Sequence, residues 1–246
     1  MFISLSFAFK MQFLFIVPIL FIMLIVKDEK GEHYLKWKDI WIAPLMYLVN
    51  LAPVFAGRSV LDVILVFFRQ TATNYGLSAK CANLLYPINV LIVDVLNCSA
   101  ETIDIVSKII TISFVLLTLV VMVAILCVVL KFSKNNVLTK KDFVFIGMLF
   151  SFMMVFFMPK MLDRFYFISM GLSIVYFCIN EGRFSKIIPT LIQNALYFMM
   201  FLIYYNYIQG VLSAIVSVIG VASGVTACVL LLIEFKNRYV KTKEQN

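Results

Sequence analysis

"IVSKIITISFVLLTLVVMVAILCVVL", residues 105–130, contains one lysine near its start and no other charged side chain. A bilayer's hydrocarbon core is ~30 Å thick and takes about 20 apolar residues of helix to cross, so this run reads as a membrane span. The same pattern recurs outward from it. Apolar runs at 2–26, 39–57, 142–158, 165–180, 187–207 and 211–235 are separated by short charged clusters. The expectation is an all-α, polytopic membrane helix bundle of about seven transmembrane helices, forming a single membrane domain over 1–246. Bulk composition agrees: 63% of the 246 residues are hydrophobic and only 14% charged, against roughly 25% charged in soluble domains.

Orientation follows from the basic residues, because Lys and Arg in short loops are retained on the cytoplasmic side. Fourteen of the 21 fall on alternate loops that share one side: 27–38, 131–141, 183–186 and the basic tail 236–246. The remaining seven are Lys10, Arg58, Arg69, Lys80, Lys108, Lys160 and Arg164. This places the N-terminus outside, the C-terminus in the cytoplasm, and both 57–104 and 158–165 on the outer face of a cell membrane. The net charge of +8 therefore reports topology and contact with anionic membrane lipids, not a nucleic-acid footprint.

The segment 57–104 is too long for a tight loop and too polar for a simple span. Its apolar stretches at 59–68 and 84–96 predict amphipathic or re-entrant helices, with Asp62 and Arg69 two turns apart on one side and Val60, Ile64, Phe67 and Phe68 supplying the apolar face. Such a helix would act either as a lid packed on the bundle or as a surface handling a polar group at the lipid boundary. Within it, Cys81 and Cys98 either pair or remain single membrane cysteines, and Asn97-Cys98-Ser99 matches a glycosylation acceptor pattern of low specificity.

Polar groups at membrane depth are costly and so mark candidate sites. Lys10 and Gln12 lie inside the first run, on different helix faces. "MPKMLDRFYFIS", 158–169, is the sharpest case: Pro159 ends a span, and Lys160, Asp163 and Arg164 follow at the outer edge. Two cations there either anchor the chain at the interface, beside an aromatic belt of Phe165, Tyr166 and Phe167, or clamp a phosphate, with Asp163 pairing one of them.

Three segments resemble the C-terminal half of a family of bacterial multi-spanning glycosyltransferases, the predicted mannosyltransferases related to the second mannosyltransferase of GPI-anchor synthesis. "SFAFKMQFLFIVPILFIML" is similar to a family span with a lysine, a glutamine two residues on and a later proline. "LAPVFAGRSVLDVILVFFRQTATNYGLSAKCANLLYPI" resembles the family's Gly-Arg start, Gln70, Tyr75 five residues later, and an Asn83-Leu84-Leu85-Tyr86 element. "MPKMLDRFYFISMGLSIVYF" is similar to a signature of Pro, any residue, Met, His, Asp or Glu, Arg, Tyr, standing here as Pro159 to Phe165. The resemblance covers most of 4–180. It implies a polyprenyl-phosphate-linked sugar donor, used at the outer face in cell-surface polysaccharide or glycolipid synthesis, with no cofactor. On that basis Lys160 and Arg164 would bind donor phosphate, Asp163 would orient Arg164, and Gln70, Tyr75, Asn83 and Tyr86 would line the outer groove, with Lys10 and Gln12 as further candidates.

Two departures accompany the resemblance. Leu162 replaces the usual His, removing a titratable donor. The family's catalytic carboxylate is expected in a first outer loop preceding Met1, so the expectation is a chain lacking upstream helices: a truncated product, one piece of a split protein whose other half is a partner chain, or a degenerate paralogue. Asp62 and Asp94 are outer carboxylates, but the resemblance assigns neither as base. The competing class is a non-enzymatic transporter subunit or scaffold of polysaccharide assembly. It predicts polar residues along a path through the spans, where only Gln193 and Asn194 stand out, while Gly210, Gly220 and Gly224 read as close helix contacts.

Overall fold

A computed structural model describes residues 17–42, 45, 77, 81, 83–92, 99–161, 163–180, 184–204 and 211–240. The chain divides into two compact units, Met1–Asn74 and Tyr75–Asn246, where the sequence suggests one domain. Among the described residues all regular structure is helical, apart from one isolated bridge between Lys27 and His33.

In the first unit, α1 (Val17–Ile25) runs into a turn built on Asp28. The Asp28 carboxylate accepts from the Lys30 and Glu32 amides, both at 2.9 Å, and Gly31 supplies the left-handed φ of 78° that lets the chain double back. A short 3-10 turn, Trp37–Trp41, follows.

The second unit holds α2 (Tyr86–Val90), α3 (Ala100–Ser133), α4 (Lys140–Phe157), α5 (Phe167–Ile179), α6 (Phe184–Tyr204) and α7 (Val211–Tyr239), with a 3-10 turn at Asp163–Tyr166 leading into α5. Each of the five apolar runs from 105 onward thus coincides with a helix. Among the described residues two segments, Glu101–Ser133 and Val218–Tyr239, are long and apolar enough to cross a membrane.

Helix α4 is the core of this unit. Its residues from Phe145 to Met153 are buried on every side, which is what an all-apolar helix without a polar stripe requires. It packs against α3, α5 and α7, and α6 closes the bundle against α5 and α7. Gly224 of α7 marks a close approach: a Cβ there would stand 2.6 Å from the Phe156 ring. Helix α3 is the opposite case. It begins at Ser99, whose hydroxyl accepts the Thr102 amide, and it leaves Ile105, Ile109, Ile112, Leu116, Leu119, Val120 and Val123 exposed. The rest of the chain covers little of its most apolar stretch.

Candidate functional site

Helix α4 stops because Pro159 follows it, and the last four carbonyls of a helix have no partner within it. The segment from Leu77 to Ile92 fills that need. The Leu84 amide donates to the Phe156 carbonyl at 3.0 Å, and Asn83 Nδ2 donates to the Met158 carbonyl at 3.0 Å. The Asn83 Oδ1 in turn accepts the Leu85 amide at 3.2 Å, and Asn83 is fully buried. Beyond Pro159, the Lys160 amide donates to the Leu77 carbonyl at 2.9 Å, and the Leu77 amide donates to Asn89 Oδ1 at 3.0 Å. Two stretches 75 residues apart in sequence, 83–86 and 158–160, therefore form one structural element. An apolar cluster of Leu77, Leu85 and Ile92 fastens it to Ile103, Val106, Ile110 and Phe114 of α3.

Lys160 has φ +59°, the only left-handed backbone at a non-glycine residue among those described. That conformation costs roughly 1–2 kcal/mol for an L-residue. Its side chain is half-buried, and the ammonium has no hydrogen-bond or ion-pair partner among the described residues. Tyr86 is also half-buried, at the start of α2. Asp163 and Arg164 begin the 3-10 turn that follows; their backbone is described and their side chains are not. Lys10, Gln12, Gln70 and Tyr75 lie outside the described residues, as do Asp62, Asp94 and Cys98.

Of the expected site residues, the structure thus brings Asn83, Tyr86 and Lys160 to one end of α4. Asn83, expected to line a groove, uses its amide to clamp the two segments together. Cys81 is a buried thiol.

The other end of α4 carries a network that the sequence reading missed. Thr139 caps the helix: its hydroxyl donates to Asp142 Oδ2 at 2.6 Å, its amide donates to the same oxygen at 2.9 Å, and its hydroxyl oxygen accepts the Asp142 amide. The second carboxylate oxygen of Asp142 accepts from Tyr239 Oη at 3.0 Å and from Arg238 Nη1 at 3.4 Å. Arg238 also donates from Nε to Glu234 at 2.6 Å and from Nη2 to Tyr176 Oη at 2.6 Å, and Tyr176 Oη donates to Glu234 at 3.2 Å. The guanidinium lies over the rings of Phe145 and Tyr176, at 5.1 and 5.4 Å. Helices α4, α5 and α7 are thereby joined. Two signals were available in the sequence: Glu234 four residues before Arg238, and the Thr139-x-x-Asp142 cap. Grouping Arg238 with the basic tail concealed the first.

Among the described residues, no group of three or more His, Cys, Asp or Glu is placed to hold a metal ion. No family model, no curated protein and no solved structure matches this chain.

Proposed function

We propose that the chain is a multi-pass protein of the cell membrane, with its N-terminus outside and its C-terminus in the cytoplasm, and that the element formed by 77–92 and 158–166 binds the phosphate of a polyprenyl-phosphate-linked sugar at the outer face. Lys160 supplies the cation, and the resemblance adds Arg164 and Asp163, which follow it in the sequence, to the same site. On this reading the protein works with a glycosyltransferase of the kind its sequence resembles, in cell-surface polysaccharide or glycolipid synthesis.

The observation that carries the reading is the joining of two motif-bearing segments. Asn83 to Tyr86 and Pro159 to Phe165 were singled out separately, and Asn83 Nδ2 reaches the Met158 carbonyl between them. A cation without a partner among the described residues then stands at their junction on a strained backbone, which is where functional groups concentrate. Two further features favour a bilayer. Helix α3 exposes a row of Ile, Leu and Val, and Trp37 and Trp41 are exposed beside Lys36 and Lys38, the composition of a membrane-interface anchor. Helix α5 has 13 residues, about 20 Å of rise, less than the ~30 Å core. On this reading the Asp163–Tyr166 turn belongs to the same crossing, at its outer end, where charged residues demand a partner. Sugar transfer needs a carboxylate base as well, and none is assigned.

The test is binding of decaprenyl phosphate to the chain in nanodiscs, by native mass spectrometry. Lys160→Gly removes the cation while suiting the left-handed backbone, so the fold is kept. It is expected to weaken binding about tenfold, the scale of one charge-assisted contact. Lys160→Arg keeps part of it. If the wild-type chain does not bind the lipid, or if Lys160→Gly binds it equally well, the reading fails.

A further inference from the structure

Helix α6 carries Thr190, Gln193 and Leu196 three residues apart on one face, all buried. The Thr190 hydroxyl donates to the Ser173 carbonyl of α5 at 3.2 Å. Gln193, one turn on, is only 2% exposed, and among the described residues neither its Nε2 nor its Oε1 has a hydrogen-bond partner; Asn194 Oδ1 beside it has none either. The hydroxyls nearest in register are already used. Helices α5 and α6 are joined by the short stretch 180–183 and so run antiparallel, which sets Gln193 about level with Met170. There Ser173 donates to the Met170 carbonyl at 2.7 Å and Ser169 to the Tyr166 carbonyl at 3.1 Å.

A buried amide without partners is costly in an apolar bundle, and a leucine would carry no such penalty. Gln193 offers one donor group and one acceptor and no charge. Its level on the bundle is four residues, about 6 Å of axial rise, from that of Tyr166, the last residue of the turn that packs against α6.

We infer that Gln193 is a binding residue for an uncharged hydroxyl of the ligand held at the Met158 end of α4, donating from Nε2 to the hydroxyl oxygen and accepting its proton at Oε1. This rests on the lipid-phosphate reading above and adds a division of labour: Lys160 holds the phosphate and Gln193 reads the sugar. A phosphate diester has no proton to give to Oε1, whereas a sugar ring presents hydroxyls that donate and accept together.

Two probes test it in nanodiscs of phosphatidylcholine, whose headgroup has no hydroxyl: decaprenyl phosphate bearing one mannose, and decaprenyl phosphate without the sugar. The wild-type chain is expected to bind the glycosylated lipid about tenfold more tightly, and Gln193→Leu to bind both at the level of the bare lipid. Gln193→Met, closer in length, makes the same comparison if Gln193→Leu does not fold. A variant that keeps the preference overturns the inference. Equal binding of both probes by the wild-type chain also overturns it while leaving the phosphate reading intact, and binding of neither overturns both.

Discussion

At its Asp142 end helix α4 is held by charges, and at its Met158 end by backbone. The first end joins one cation to two carboxylates and two tyrosine hydroxyls, and both oxygens of Asp142 are occupied. The second end uses amides and carbonyls, with Asn83 as the one side chain that bridges them. The difference separates fastening from availability. A network that satisfies its own charges holds α4, α5 and α7 together and leaves Asp142 nothing to present to a ligand. At the other end the Phe156 and Met158 carbonyls have partners, yet Lys160 has none for its ammonium among the described residues. In a bundle with this much apolar surface, the closed end is where stability is concentrated and the open end is where binding is expected.

The largest effect should come from breaking the closed end. Arg238→Met leaves Asp142 and Glu234 without their cation, in a site where those side chains are 16% and 25% exposed. Removing one member of a largely buried ion cluster costs about 3 kcal/mol, read as a fall in the unfolding midpoint in detergent. Arg238→Lys keeps the charge but not the three-way fork, and should fall between. A loss below ~1 kcal/mol would mark the cluster as an ordinary surface pair and erase the contrast between the two ends.

Gly224→Val comes next and probes whether the ends communicate. The added side chain meets the Phe156 ring, which is already packed against Phe152 and Phe157, with centroids at 5.6 and 5.4 Å. Overpacking of this kind costs about 2 kcal/mol. Because the Phe156 carbonyl receives the Leu84 amide, hydrogen exchange at Leu84 and Leu85 should quicken while amides around Asp142 stay protected. Asn83→Leu acts on the Met158 end directly: it strips partners from the Met158 carbonyl and the Leu85 amide for about 1–2 kcal/mol, with faster exchange confined to 77–92.

Much of this arrangement is legible in the sequence, and the limits are physical. The apolar runs from 105 onward are all helices, because an unbroken apolar stretch of that length has few other ways to bury its backbone polar groups. Their ends were misjudged where polar residues stay helical. The run 105–130 extends to Ala100–Ser133 because Ser99 caps it, and 211–235 extends to Tyr239 because Glu234 and Arg238 are tied into the bundle. Hydropathy follows apolar content and is blind to capping and to ion pairs. Gly224 was readable as a close contact, since only a missing side chain lets helices approach so nearly. The meeting of Asn83 with Met158 was not readable, because no periodicity relates residues 75 apart.

The smallest effect is the most informative about the open end. Lys160 adopts φ +59°, which glycine accepts freely and lysine does not. Lys160→Gly should therefore stabilise the folded chain, but glycine also loosens the unfolded chain, so the net gain is expected to be about 0.5 kcal/mol and to appear as a small rise in the unfolding midpoint. The Lys160 amide bond to the Leu77 carbonyl survives the change, because it belongs to the backbone. A rise in stability together with weaker binding of a lipid phosphate would mean that the lysine is kept against its own conformational preference, for its charge. A fall would mean that the aliphatic stem of Lys160 packs at the junction and holds it closed. The two ends of α4 would then both be fastenings, and the contrast between them would disappear.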